Sequence, residues 1–260
     1  MSTPIGFTEV DLEAPDVCRV TECSIGNLVA DAMASSVEHG RALAQPTGTS
    51  SESAVCNASL ALVLGGNIRS SIISGNITYA HILSTLPFTN QEGAIWASGR
   101  LLLDVFRHSA ALYRWGGFLQ VSSRLRVTYQ QQQQPSKSGD HNHNHHHHQS
   151  LVLKKLEARC GNHPWTEVSP DGLYHLAINT YLSSGGDNYT MLMGRNWTDY
   201  GFSDVDGLTR YIKRLDNVTV GIEGRITVLS AEASGSGKSS AAKLWNTFVV
   251  AAVLILQLTY

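Results

Sequence analysis

Leu60-Ala61-Leu62-Val63-Leu64-Gly65-Gly66-Asn67-Ile68-Arg69 is the stretch around which this chain is organised. Five consecutive apolar residues read as a buried strand, and the two glycines then let the backbone turn sharply or approach a ligand closely. The tip that follows is polar. Asn67 carries donors and an acceptor on one carboxamide, and Arg69 offers a planar fork of donors suited to an anionic or hydroxyl-rich ligand. A second stretch of similar design, Tyr181 followed by Ser184-Gly185-Gly186-Asp187-Asn188-Tyr189, again comes after an apolar-rich run. Two such turns in one domain predict a shared pocket.

Outward from this centre, Ser24 precedes apolar residues at helical spacing as far as Val37, and residues 40–53, rich in Gly, Ser, Thr and Pro, read as a loop. Alternation over Phe7 to Leu12 predicts an entering strand. Ile77-Thr78-Tyr79 reads as a short strand, and His81 to Leu86 as a helical turn stopped by Pro87. Ile95-Trp96-Ala97 is a further strand, and Leu102, Val105, Phe106, Ala110 and Tyr113 share one face of a helix from Leu101 to Tyr113 that Gly116-Gly117 ends. Phe118 to Val121 and Leu125 to Tyr129 read as a strand pair, with Leu151 to Leu156 as return partner. Leu173 to Tyr181 is β-rich, Gly207 to Leu215 helical, and Gly224 to Val228 a last strand. Strands and helices mixed in this order predict an α/β (α+β) domain with a mixed β-sheet sandwiched by helices.

Residues 130–149 are mostly Gln, His, Ser and Asn, and residues 230–243 mostly Ser, Gly, Ala and Lys; neither stretch can bury a core. One domain over residues 1–229 remains. A formal net charge of -2 with scattered Lys and Arg gives no electrostatic reason to expect nucleic acid. Cys18 and Cys23 are spaced for a small disulfide loop, worth on the order of 2 kcal/mol by chain entropy. Sequons at Asn57, Asn76, Asn188, Asn196 and Asn217 favour a secreted or cell-surface route, where that disulfide would persist. The segment Met1 to Gly6 has neither a basic nor an apolar signal region, so the chain is read as a piece of a longer polypeptide.

The motifs Cys18-Arg19-Val20-Thr21-Glu22-Cys23-Ser24-Ile25-Gly26-Asn27-Leu28-Val29-Ala30-Asp31-Ala32-Met33, Gly65-Gly66-Asn67-Ile68-Arg69, Ile77-Thr78-Tyr79, Leu86-Pro87-Phe88, Phe118 to Val121, Gly185-Gly186-Asp187 and Glu223-Gly224-Arg225-Ile226 resemble, in order, the C-terminal domain of animal ecto-5′-nucleotidases and related apyrases. The resemblance covers roughly residues 5–229, and seven motifs in order are far more specific than any one. It implies that this domain supplies the nucleoside pocket while a preceding metallophosphoesterase domain holds a divalent metal pair, zinc, and hydrolyses the nucleotide. It implies that Phe88 and Tyr181 sandwich the base, that Asp187 accepts from ribose hydroxyls, and that Arg19 and Arg69, with Gly65, Gly66 and Asn67, line the ribose and phosphate side. No catalytic residue and no metal ligand is expected in this chain. Family members often dimerise through this domain, so a homodimer is an expectation as well. The chain departs from the family where Leu64 stands for a usual Asn, Asn67 for Gly, Tyr181 for Phe, and Asn188-Tyr189 for Gly-Phe. Ala30 occupies the place of a common mate for Cys56, and His163 that of a cysteine near Cys160. Cys56 and Cys160 are therefore either free or paired with each other.

Other motifs lead elsewhere. Gly161-Asn162-His163 has the look of a metallophosphoesterase block, but Pro164 follows in place of an acid and no Asp-x-His precedes it. Gly235-Ser236-Gly237-Lys238-Ser239 lacks the first glycine of a phosphate loop and the strand before it. His141, His143 and His145 to His148 read as a weak transition-metal binder in an unstructured insertion. Leu244 to Tyr260 is a largely apolar tail of 17 residues, about 26 Å as a helix, with no basic stop after it. Small residues at Ser234-Gly235-Ser236 and a polar spacer precede it, the arrangement of a glycosylphosphatidylinositol (GPI) signal with Ser234 as attachment site. The expectation is the nucleoside-binding half of a GPI-anchored 5′-nucleotidase on the outer leaflet of the plasma membrane. The competing reading is a non-catalytic GPI-anchored surface protein that captures nucleosides, or metal through its His-rich loop.

Overall fold

The computed structural model describes residues 3–44, 55–132 and 150–231. The core of the Gln/His insertion, most of the spacer with Ser234, and the apolar tail lie outside these residues. Two parallel strands form the centre. β2 (Val55–Leu64) lies beside β9 (Leu173–Asn179), with Leu60 opposite Leu176 and Ala61 opposite Ala177. β4 (Gln91–Ser98) runs antiparallel to β9, β10 (Thr198–Ser203) antiparallel to β4, and β5 (Leu119–Val121) antiparallel to β2, giving the order β10-β4-β9-β2-β5.

Because strand residues point alternately to the two faces, each central strand feeds two cores. Leu60, Leu62, Leu64, Ile95, Leu176 and Ile178 face one way, onto α3 (Gly99–Ala111), β6 (Leu125–Gln131) and β7 (Leu151–Ala158). Ala61, Val63, Ala94 and Ala177 face the other way, where small side chains let α1 (Ser24–Ala44) and α5 (Asp204–Leu215) pack closely. Local chemistry fixes the helix starts. The Ser98 hydroxyl accepts from Leu101 N–H, and the Ser203 hydroxyl accepts from Asp206 N–H. α5 also carries Asp204 and Asp206 in its first turn and Lys213 and Arg214 in its last, matching its dipole.

Among the described residues the strands form three mixed sheets instead of one. β6 and β7 pair with each other, with β8 (Thr166–Glu167) and with β12 (Ile226–Leu229), so one layer over the central sheet is a second sheet beside α3. β1 (Pro4–Thr8), β3 (Gly75–Thr78) and β11 (Asn217–Val218) make the third. β5 and β6 are therefore not a pair. The turn at Ser122 to Arg124 hands the chain from one sheet to another, anchored by Asp31 Oδ1 accepting from Ser123 N–H at 2.7 Å. Other differences are local: β1 ends at Thr8, α1 continues to Ala44, and Tyr79 opens α2 (Tyr79–Thr85) because Thr78 and His81 form a capping box.

Two disulfides are present. Cys18 pairs with Cys23 as the spacing suggests, and Cys56 pairs with Cys160, settling the open alternative. The latter joins the start of β2 to the end of β7 across a separation of 104 residues.

Glu92 lies between β4, α1 and α5 and is 1 % exposed. Burial pushes its carboxyl up to about 8, with a hydrogen bond from Ser36 acting in the opposite direction. A carboxyl raised in the folded state costs nothing below the unfolded value near 4.5, and stability then falls as pH rises toward 8. Glu92→Gln should therefore match wild type near pH 4 and exceed it by a few kcal/mol near pH 8 to 9 in urea unfolding. Parallel pH profiles for the two proteins would refute this placement of the charge.

Candidate functional site

The parallel pairing of β2 and β9 decides where the two glycine turns go: both follow a carboxyl end, so both emerge at the same edge of the sheet. β4 and β5 run the other way, so their entering segments, Phe88 to Asn90 and Gly116 to Phe118, reach that edge too. Together with the turn at Val17–Arg19 they enclose a cavity of about 410 Å³ lined by Arg19, Gly66, Asn67, Arg69, Phe88, Asn90, Gly116, Tyr181 and Asp187. That volume lies within the range of small-molecule sites.

Seven of the eight residues singled out in the sequence line this cavity. Gly65 does not. It packs against the Cys18 carbonyl, and its N–H donates to the Phe118 carbonyl at 2.8 Å, so it seats the turn without lining the cavity. Gly66 lies flat on Gly116, donating to its carbonyl at 2.7 Å; a Cβ at position 66 would stand 2.7 Å from Gly116 Cα. The sequence reading missed Gly116 and Asn90. The Gly116-Gly117 doublet was a usable signal, although it also suits a helix end.

Arg19 reaches the cavity because the segment before α1 is tied down. Gln120 donates to the carbonyls of Cys18 and Thr21, both at 2.8 Å, and accepts from Cys23 N–H at 3.1 Å. Arg69 donates one Nη1 hydrogen bond to the Gly66 carbonyl at 3.2 Å. Its other guanidinium donors have no protein partner among the described residues. Arg19 Nε and Asn67 Nδ2 are buried without a partner, and Asn67 is only 8 % exposed. Buried polar atoms left this way are costly unless a ligand or water completes them.

Asp187 is held in left-handed backbone at φ 48°, a conformation few residues other than glycine adopt. Its carbonyl accepts from His108 Nε2 at 2.9 Å, which places the ring proton on that nitrogen, and His108 meets the edge of Tyr189. The Tyr189 hydroxyl, in turn, donates to the Gly117 carbonyl at 2.7 Å. The Tyr181 hydroxyl donates to Asp187 Oδ1 at 3.0 Å, leaving Oδ2 toward the Gly116 side. Burial, followed by the Asp187 carboxylate, raises the Tyr181 phenol above its ordinary value, so it stays a donor at neutral pH. Gly186 leaves room for the Tyr181 ring, which any Cβ there would strike. Phe88 and Tyr181 nevertheless remain 57 % and 40 % exposed, large apolar faces open to the cavity mouth.

Residues 4–194 match the family described as "5′-nucleotidase, C-terminal domain". An apyrase of Tabanus yao is 29 % identical over 220 residues, 82 % of this chain and 36 % of its own length. A 5′-nucleotidase of Mus musculus is 29 % identical over 234 residues, 87 % of this chain and 37 % of its own length. Among solved structures, a 5′-nucleotidase precursor from Thermus thermophilus superposes with a TM-score of 0.70 at 28 % identity, covering 88 % of this chain and 40 % of that one. The NAD nucleotidase of Haemophilus influenzae shares the fold, with a TM-score of 0.64 at 16 % identity, covering 88 % of this chain and 38 % of that one. The chain thus spans well under half the length of these relatives.

Gly66→Ala should lift the 65–67 turn off Gly116 and destabilise the domain by about 1 to 3 kcal/mol. Urea unfolding checks this, and an unchanged midpoint would show that the two backbones can part without cost.

Proposed function

This chain belongs to the 5′-nucleotidase C-terminal domain family, and we propose that it is the nucleoside-binding half of a surface 5′-nucleotidase that converts extracellular nucleotides to nucleosides and phosphate. One observation carries the reading: two open aromatic faces, two arginines and a fixed carboxylate line a single cavity. In this reading Phe88 and Tyr181 take the base between them, since flat aromatic faces stack on any purine or pyrimidine. Asp187 offers Oδ2 to a ribose hydroxyl while Tyr181 keeps Oδ1 occupied. Arg19 and Arg69 face the phosphate with charge-assisted donors.

The hydrolytic step needs a metal pair held by clustered Asp, His and Asn. Among the described residues no group of three or more His, Cys, Asp or Glu is placed to hold a metal ion. In this proposal the divalent pair, zinc by the family resemblance, sits in an N-terminal metallophosphoesterase domain, and this chain's residues bind and orient the substrate. Purified chain should release no phosphate from AMP when metal is added. Metal-dependent release free of contaminating phosphatase would overturn this, while absence of hydrolysis by the full-length polypeptide would favour the non-catalytic binder.

Phe88→Ala and Tyr181→Ala should each weaken nucleoside binding about 5- to 100-fold, from roughly 1 to 3 kcal/mol of stacking per base. Asp187→Ala should reduce affinity for adenosine more than for adenine, because only the sugar uses that carboxylate. Calorimetry with both ligands decides; equal losses would remove Asp187 from the ribose site.

Surface location and lipid anchoring belong to the same proposal. The asparagines of all five sequons are exposed, as glycan acceptors must be. No described helix is long and apolar enough to cross a membrane. The apolar tail, in this proposal, is exchanged at Ser234 for a GPI anchor whose acyl chains hold the protein to the outer leaflet. Phosphatidylinositol-specific phospholipase C should shed the protein from expressing cells. Retention on cells whose control anchored proteins are shed would mean the tail itself holds the membrane.

A further inference from the structure

α1 and α5 do not close on each other along their whole length. Beyond their contact at Gly207 they leave a cleft of about 220 Å³, lined by Ser35, Ser36 and His39 from α1 and by Arg210, Tyr211 and Arg214 from α5. Arg210, Tyr211 and Arg214 recur at helical spacing, so all three side chains project from one face of α5. We propose that this cleft is a second ligand site, separate from the nucleoside cavity, and that it takes a small tetrahedral oxyanion of the inorganic phosphate class.

The two guanidinium groups are positioned without being neutralised. Arg210 lies 4.1 Å over the Phe202 ring and Arg214 lies 4.9 Å over the Tyr211 ring. Stacking uses the flat face of a guanidinium, whereas its N–H donors radiate in the plane; one Arg214 donor goes to the Tyr211 hydroxyl and the other edge donors stay available. Among the described residues no carboxylate lies within ion-pairing distance of either arginine. Two positive charges beside the Ser35 hydroxyl form a donor set suited to an oxyanion.

The acids in the first turn of α5 make their hydrogen bonds elsewhere and no ion pair with either arginine. The Asp206 carboxylate accepts from the Ser203 hydroxyl at 2.7 Å, and Asp204 accepts from Val205 N–H at 2.9 Å and Asn90 Nδ2 at 3.4 Å. Glu92 is buried behind Gly207 and does not line the cleft. Its Oε2 is buried without a hydrogen-bond partner and, with the Ser36 hydroxyl, converges on Gly207, 2.5 and 2.6 Å from where a Cβ would stand. Burial keeps that carboxyl protonated at neutral pH, so it sets no negative charge behind the cleft. The cleft has about half the volume of the nucleoside cavity, which suits an inorganic oxyanion and not a nucleotide.

Arg19 and Arg69 could also attract phosphate, so the test is made in the full chain carrying Arg19→Ala and Arg69→Ala. Inorganic phosphate is titrated against chloride at constant ionic strength and followed by calorimetry and ³¹P line broadening. Saturable binding should persist in this background and weaken at least tenfold when Arg210→Gln and Arg214→Gln are added. Circular dichroism and the urea midpoint report whether those exposed substitutions leave the fold intact. If they do not, Ser35→Asp, which sets a negative charge at the cleft, should abolish binding by itself. Absence of saturable binding in the Arg19/Arg69 background, or binding indifferent to the cleft substitutions in a folded protein, overturns the proposal. Neither result touches the nucleoside reading, which calorimetry with adenosine tests in the wild-type chain.

Discussion

A buried guanidinium cannot be left unpaired, and Arg225, 3 % exposed, is the group whose requirements tie the ends of this domain together. Its fork meets Asp31 with two hydrogen bonds, at 2.7 and 3.0 Å, while Glu223 accepts from Nη2 at 2.9 Å. The carbonyl of Val121 takes a further bond at 3.0 Å. Glu22, just before α1, accepts from the backbone N–H groups of Glu223, Arg225 and Ile226 and from Asn27 Nδ2. One carboxylate thus closes the backbone of the last strand onto the first helix, some two hundred residues away in the chain. Loss of one partner from a buried pair of this kind typically costs about 3 to 5 kcal/mol, because the other charge stays behind.

That closure positions the site as well as the termini. Glu22 lies between Cys18 and Cys23, whose disulfide leaves the Val17–Arg19 turn little freedom, and Gln120 fixes the same segment from β5. Arg19 therefore enters the cavity from a loop held on three sides. The opposite wall is fixed by different means, with Asp187 in strained backbone, His108 on its carbonyl and Tyr189 pinned to Gly117. Donors and carboxylate are thus set before any ligand arrives, which lowers the ordering cost of binding.

Reading the sequence recovered what short-range pattern can carry. Apolar runs gave the central strands, helical spacing gave α1, α3 and α5, and the repeated glycine turn gave a shared cavity. What it could not carry was pairing. Phe118 to Val121 and Leu125 to Tyr129 are close in sequence and both β-rich, yet β5 joins β2 while β6 joins β7 and β12. The deciding contact, Asp31 to Ser123, spans 92 residues and leaves no local trace. Gly65 illustrates a different limit, because a glycine that touches a ligand and one that makes room for a carbonyl look alike until the Cys18 backbone is seen beside it. Asn90 escaped notice because nothing in Phe88-Thr89-Asn90 says that the chain passes the cavity before β4 begins.

The exchange at positions 64 and 67 follows from the same geometry. The resemblance noted in the sequence sets Leu64 against a usual Asn and Asn67 against a usual Gly. Leu64 is fully buried among Leu60, Leu62, Phe118 and Leu119, an environment that would charge a carboxamide its full desolvation cost. Gly65–Asn67 forms a single 3-10 turn, so the residue three places on stands at the cavity, where Asn67 keeps an unpartnered Nδ2. Leucine adds apolar packing at the end of β2, and Asn67 brings a carboxamide to the cavity wall one turn later.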